Sequence, residues 1–339
     1  MFTQKRQDLI KEISTNRGNT FVVSYITGDR QPFRTSIADD TIPLLQRHLE
    51  DASPKKISLF LYTRGGDMIA PLRIVKLLRS YCDYLEVLIP RYSHSAGTLI
   101  ALGADKIVMG RLGELSPVDP TIMHPLNPEI SIDSKEPTSK QKIPISVEDI
   151  NSYFLFAKEK AGVGQDKLDR IYEFLVSNSQ PDKSISPLLI GSSYRSYRMS
   201  KMLAEKLLKL HMRGFFQSFR IKKIVEELTG RISIHNYPIT RDEARELGLN
   251  IEFADASFGK TIEELFDQYA QELKLNTPFN PMEILGDKTT NNFAYEGAYI
   301  ESYGKLDEFL FKGVVNKVEK DGQVNINMNM LGSNWQKIK

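Results

Sequence analysis

The stretch VLIPRYSHSAGTLIALGADKIV, Val87 to Val108, decides the fold. It predicts a strand (Val87 to Pro90), a tight polar turn (Arg91 to Ser95), a helix of small and apolar residues (Ala96 to Ala104) and a second strand opening at Lys106. Ser95 stands where the turn becomes the helix. Its Oγ would lie at the positive end of a helix dipole, beside N–H groups with no partner inside the helix. Such a place can hold the negative charge of a tetrahedral acyl intermediate. It equally suits a serine that is only an N-cap, and from this stretch alone the cap is the simpler reading.

Working outward, Thr20 to Thr27 (TFVVSYIT) and Lys56 to Tyr62 (KISLFLY) read as strands. The second is almost continuously apolar, which predicts burial on both faces. Amphipathic helices are expected over 1–17, Asp39 to Leu49 and Ile69 to Leu78, with Pro71 tolerated in a first turn. Strand, helix, strand, helix, strand predicts right-handed parallel crossovers in an α/β sheet. Thr63-Arg64-Gly65-Gly66-Asp67 breaks the second strand. In a parallel sheet that turn and the Ser95 turn share the carboxyl edge, where α/β proteins place their sites. Adjacent glycines admit a ligand close to the backbone. One N–H from Gly65 or Gly66 and one from Ala96 would make a two-donor oxyanion hole before Ser95. The plain alternative is a tight strand-to-helix turn. No GK[ST] follows the glycines and no GxGxxG is formed, so phosphate and dinucleotide loops are excluded here.

The 339 residues are 41% apolar, enough for a real core, and carry a formal net charge of +2. That balance gives no reason to expect a nucleic-acid or membrane-surface partner. Cys82 is the only cysteine, which rules out an intramolecular disulfide and a cysteine-based zinc cluster and fits a reducing cytosol. The N-terminus has no apolar signal region, and no window approaches about 18 uninterrupted apolar residues, so no secretory signal and no membrane span are expected.

Leu115 to Pro144 is rich in proline and polar residues and reads as a long loop. Helices are expected over Val147 to Ala161, Asp166 to Val176, Ser192 to Met212 and Phe215 to Leu228, with a short strand at Ile232 to Ile234. Thr240 with Glu243 forms a capping-box pattern opening a helix to Leu247, and a further helix follows over Thr261 to Leu273. Beyond about Asn276 short β-like runs appear (Phe309 to Val318, Gln323 to Met328). The expected organisation is a main domain over 1–275, including the loop at 115–145, and a β-rich extension over 276–339.

TRGGD (63–67), followed by SHSAGTLIALGADKIVMG (93–110), resembles the Clp protease/crotonase superfamily, most closely its signal peptide peptidase A branch. LYTRGGD, SAGTLIALGADKIVM, GELSPVDPTI and ISPLLIGSSYRSYR are similar to the soluble serine dehydrogenase proteinase family, and ITRDEARELGLNIE (239–252) to the segment that closes the fold in signal peptide peptidases. The resemblance covers roughly residues 20–255. It implies a spiral of ββα units, a serine nucleophile at Ser95 and an oxyanion hole from the Gly65-Gly66 turn and Ala96. It also implies homo-oligomers; a peptide or unfolded-protein substrate, a cytoplasmic setting, and no cofactor or metal are expected alongside.

A serine nucleophile needs a base within hydrogen-bond reach. His94 adjoins Ser95, but neighbouring side chains on a turn usually diverge. His124 lies in the long loop, beyond the position that alignment through Val118 reaches. His48, His211 and His235 fall on expected surface helices or a strand edge. The branch that this sequence resembles uses a lysine, which serves only where its pKa is depressed. Lys183, before Ser-Ile-Ser-Pro, fits that context best, Lys201 is the alternative, and a solvated linker lysine is the plain reading of Lys183. Tyr194, Arg195, Tyr197 and Arg198 form an aromatic–cation cluster, fit for a peptide carboxylate, an oligomer contact or one ordinary helix face. Asp119 is read as ordering its loop. Lys5-Arg6, Lys55-Lys56 and Lys222-Lys223 read as solvated pairs. The expected function is peptide-bond hydrolysis. The alternatives are an oligomeric binding or scaffold protein of the same fold with little turnover, and acyl-CoA chemistry, for which no carboxylate pair stands out.

Overall fold

The computed structural model describes residues 3–50, 52–118, 121–122, 127, 129–131, 140–142, 145–159, 164, 167, 170, 187–231, 237–320 and 323–339. Helix α1 (Gln4–Asn16) leads into β1 (Phe21–Thr27); α2 (Ile42–Glu50), β2 (Lys56–Tyr62), α3 (Ala70–Tyr81) and β3 (Tyr84–Ile89) follow. Next come β4 (Tyr92–Ser93), α4 (Ala96–Leu102), β5 (Lys106–Met109) and β6 (Glu114–Leu115). Short strands β7 (Thr121–Ile122), β8 (Glu129–Ser131), β9 (Lys140–Lys142) and β10 (Ile145–Ser146) then precede α5 (Val147–Glu159). Helices Pro187–Leu208 and Phe215–Glu226 come before β11 (Ile239–Thr240), helix Arg241–Leu247, β12 (Ile251–Phe253) and helix Ala256–Glu272. The chain closes with β13 (Thr290–Ser302), β14 (Lys305–Lys320) and β15 (Gln323–Lys337).

The main sheet has the order β12-β5-β3-β2-β1-β13-β14-β15. From β12 to β1 it is parallel, and one row of paired residues crosses it: Ile251, Ile107, Val87, Leu59 and Val23. Ile57 to Tyr62 are all buried, as their continuous apolar run requires. A second sheet, β11-β6-β4, takes the short strand that follows β3 and the one that follows β5. Thr63, just past β2, bridges to Ser93 of β4. Strand, short cross-strand and helix thus recur as ββα units of a Clp/crotonase-like α/β fold. Leu99 and Ile100 of α4 and Ile74 and Val75 of α3 lie in one buried cluster. Each such side chain contributes about 1.5–3 kcal/mol on burial.

Strands β13, β14 and β15 join antiparallel in series onto β1. They run longer than the β-like texture suggests, and β13 has no clear apolar alternation to announce it. The helix Ala256–Glu272 starts five residues before the expected one, because the Asp255 carboxylate accepts the N–H groups of Ser257 and Phe258. The expected capping box at Thr240 and Glu243 forms in full. Of the helix expected at Asp166 to Val176 only residues 167 and 170, both helical, are described, and the strand at Ile232 to Ile234 lies outside the described residues.

Two surface readings need correction. Arg6 is not solvated: it is fully buried, with Nε 2.7 Å from Glu301 and its guanidinium over the rings of Tyr269 and Tyr299. A carboxylate on β13, remote in sequence, provides the partner that lets a charge enter the core. His48 is also fully buried, with Nδ1 2.7 Å from Ser302 Oγ and Nε2 3.0 Å from Asp307. Lys55, Lys56, Lys222 and Lys223 are exposed as expected.

Candidate active site

The site lies where the main sheet's carboxyl edge meets the second sheet. Thr63 N–H donates to Tyr92 O and His94 N–H donates to Thr63 O, which binds the TRGGD turn to the strand leading into Ser95. Gly97 makes the close approach possible: a Cβ there would stand 2.4 Å from Thr63 Cγ2.

Ser95 opens α4 with φ 49° and ψ −107°. This left-handed backbone costs a non-glycine residue about 1–3 kcal/mol and persists only where its surroundings impose it. Here they do. Ser95 N–H donates to Ser116 Oγ at 2.8 Å. Ser116 N–H donates to Thr98 Oγ1 at 3.1 Å, and Thr98 Oγ1 lies 2.9 Å from Ser93 O, to which it donates. Although Ser95 occupies the N-cap position, its side chain makes no capping hydrogen bond. Thr240, Asp255 and Asn280 do cap their helices. The cap reading of Ser95 therefore fails, and its hydroxyl is left uncommitted among the described residues.

The glycine turn packs directly on this serine. A Cβ on Gly65 (φ +114°) would lie 2.9 Å from Ser95 Cβ. Gly66 pairs with Ile37: Ile37 N–H donates to Gly65 O, and Asp67 N–H donates to Ile37 O. That parallel bridge turns the Gly66 N–H away from Ile37, and this N–H has no partner among the described residues. Nor does the Ala96 N–H, in the first turn of α4. The third expected donor is corrected: Gly65 N–H is taken by Thr63 Oγ1 at 3.0 Å, itself held by Thr27 Oγ1 at 2.8 Å. The amides of Gly66, next to the glycine that packs on Ser95, and of Ala96, next in sequence to Ser95, thus share with the Ser95 hydroxyl the lack of a partner among the described residues.

The histidines fall elsewhere. His94 is buried, stacks near Tyr92, and sets Nε2 3.6 Å from Glu114. Burial pushes the Glu114 carboxyl up, against the opposing pull of Arg64. His211 sits at the far end of α4, with Nε2 3.0 Å from Leu102 O. Neither His48 nor His211 is a surface residue, and burial lowers the pKa of both. Lys201 is half-buried, with Nζ 4.6 Å from the Tyr197 ring. Tyr194, Arg195 and Arg198 are exposed on the same helix. Lys183, His124, His235 and Asp119 lie outside the described residues. Sequence reading assigned no part to Thr63, Thr98 or Ser116, although all three fall inside motifs it quoted. The signal for each was a hydroxyl beside a glycine- or proline-marked turn.

A cavity of about 820 Å³ opens on the same carboxyl edge, among Arg91, Leu112, Phe253 and Glu263, which follow or face the ends of β3, β5 and β12.

Comparison with known proteins agrees with this architecture. Residues 1–184, more than half of the chain, match the family described as ClpP-like SDH-type serine proteinase. Two relatives come from Methanocaldococcus jannaschii. The uncharacterized protein MJ0137 is 27% identical over 276 residues, covering 79% of this chain and 80% of its own. The uncharacterized protein MJ1495 is 24% identical over 278 residues, covering 79% and 78%. Among solved structures, a mutant of the 1510-N membrane-bound stomatin-specific protease is similar at 18% identity, covering 66% of this chain and 77% of that chain with a TM-score of 0.34. Among the described residues no helix is long and apolar enough to cross a membrane. On the family match, this chain belongs to the ClpP-like SDH-type serine proteinases.

Proposed function

We propose that the chain hydrolyses peptide bonds with Ser95 as nucleophile and the N–H groups of Gly66 and Ala96 as the oxyanion hole. Ser95 Oγ attacks the scissile carbonyl carbon and its proton passes to a base. The carbonyl oxygen becomes an oxyanion between the two amides. Collapse expels the amine, which takes the proton from the base, and water then releases the acyl group by the same route. Each amide of such a pair is worth about 10²–10³ in kcat. One observation carries the reading: an uncommitted serine hydroxyl on a left-handed backbone, packed against the glycine turn and followed by an amide without a partner among the described residues.

Lys183 is our first choice for the base and falls inside the matched segment, which ends at residue 184. Lys201 lies beyond that segment, and His124 is the remaining alternative. A cytoplasmic setting and a homo-oligomeric assembly belong to the same reading, supported by the single cysteine and by the family resemblance.

The test is hydrolysis of a broad fluorogenic peptide library by the wild type, Ser95→Ala, Lys183→Ala and Lys201→Ala. Loss in Ser95→Ala and Lys183→Ala with retention in Lys201→Ala fits the assignment. Full activity in Lys183→Ala removes that lysine as base, and full activity in Ser95→Ala removes the mechanism.

A further inference from the structure

Ser95 begins α4, and a second cavity, of about 320 Å³, lies at the other end of the same helix. By helical rise the two ends of this seven-residue helix are about 10 Å apart. Ala101, Leu208, Met212 and Leu249 give one apolar part of a lining that is otherwise mostly polar. Two guanidinium groups, Arg213 and Arg220, line it from exposed positions, and neither has an ion pair or hydrogen bond among the described residues. Gln217 also lines it, and its buried Oε1 has no hydrogen-bond partner among the described residues. The one carboxylate of the lining, Asp105, is already engaged by the Leu85 N–H at 2.9 Å and by Arg79 at 3.2 Å.

A small apolar part, two unpaired cations and an orphaned buried acceptor make a specific demand. Apolar surface takes a short hydrocarbon body. The guanidinium pair takes a carboxylate or phosphate through charge-assisted hydrogen bonds. The Gln217 oxygen takes a donor, because a buried acceptor left unmade costs free energy. A cavity of this size lies at the small end of the range for ligand sites, and its mostly polar lining favours a ligand whose charged end makes most of the contacts. We propose that this cavity binds a small organic anion with a short apolar body. The site is tied to α4, since the His211 ring lies 3.0 Å from Leu102 O, a terminal carbonyl of that helix.

The test uses the full chain and octanoate as probe, with octylamine as the charge-reversed control, by isothermal titration calorimetry. It is run on the wild type and on Ser95→Ala, so that its outcome is independent of peptidase activity. The expected result is saturable binding of octanoate to both proteins and none of octylamine. Arg213→Ala combined with Arg220→Ala should weaken octanoate binding by about tenfold or more. Lys222→Ala combined with Lys223→Ala, which alters exposed charge on the same helix, should leave it unchanged. Equal binding of octylamine, no octanoate binding, or octanoate binding indifferent to the arginine pair would overturn the assignment.

Discussion

The Ser95 amide donates to the Ser116 hydroxyl across 2.8 Å, so the strained turn before α4 is held by a residue 21 positions away. Ser116 is itself fully buried, and its hydroxyl also lies 3.0 Å from Pro117 O, to which it donates. Ser116→Ala would leave the Ser95 N–H unsatisfied, at a cost of about 1–3 kcal/mol. Ser95, the proposed nucleophile, would also lose its fixed direction. We expect kcat to fall by about tenfold to hundredfold with KM little changed, since small misplacements at a reacting centre are that costly. Steady-state kinetics on a single fluorogenic peptide checks this; an unchanged kcat would show that Ser116 positions nothing.

Gly65 separates strain from contact. At Gly65 a Cβ meets Ser95 Cβ at 2.9 Å, whereas at Gly304, also left-handed with φ +81°, it meets nothing within 4 Å. Both Gly65→Ala and Gly304→Ala should lose stability, by about 1–3 kcal/mol from backbone strain. Only Gly65→Ala should lose reaction with a serine-directed phosphonate. Denaturant titration paired with labelling rates measures the two effects. Normal labelling of folded Gly65→Ala would disconnect the glycine turn from the serine.

Arg6 is the centre of a buried polar network. Its guanidinium meets Glu301 at 2.7 Å and Glu272 at 2.5 Å, while Gln7 Nε2 donates to Glu301 at 2.7 Å. Burial pushes the Glu301 carboxyl up, and Arg6 is the largest opposing influence. Removing the cation strands that carboxyl, and losses of this kind run to about 3–5 kcal/mol. Arg6→Ala should show a loss of that size in urea titration, partly restored by adding Glu301→Gln. A cost under about 1 kcal/mol for Arg6→Ala would contradict the buried pair.

His48 predicts a pH dependence. Burial lowers its pKa, against the pull of Asp307, so the folded protein holds it neutral where the unfolded chain would protonate it. The unfolded state then binds more protons, and stability rises with pH across that window. His48 thus costs nothing well above its ordinary value near 6.5 and destabilises progressively as pH falls below it. Glu301, raised, acts with the opposite sign above its ordinary 4.5. Comparing each protein with itself across pH isolates the histidine: His48→Gln should lose less stability than the wild type between pH 7.5 and 5.5. Parallel pH profiles would refute the assignment.

Much of this was legible in the sequence. KISLFLY announces a strand buried on both faces, and VLIPRYSHSAGTLIALGADKIV fixes the order of strand, turn and helix around Ser95. What escaped depends on distant partners. Arg6 and His48 look like surface residues until Glu301 and Asp307 arrive from β13 and β14. Ser95 looks like a cap because serine caps well; only the backbone at φ 49° shows its hydroxyl turned from that task. The Gly65 amide looks available until Thr63 takes it, a local bond that a two-glycine motif does not reveal.

The central claim is that Ser95 is the residue that attacks. Treating the wild type with a fluorophosphonate and mapping the adduct by tandem mass spectrometry tests it most directly. The prediction is a single stoichiometric adduct on Ser95, absent from folded Ser95→Ala. An adduct on another residue, or labelling that survives in Ser95→Ala, would contradict the account.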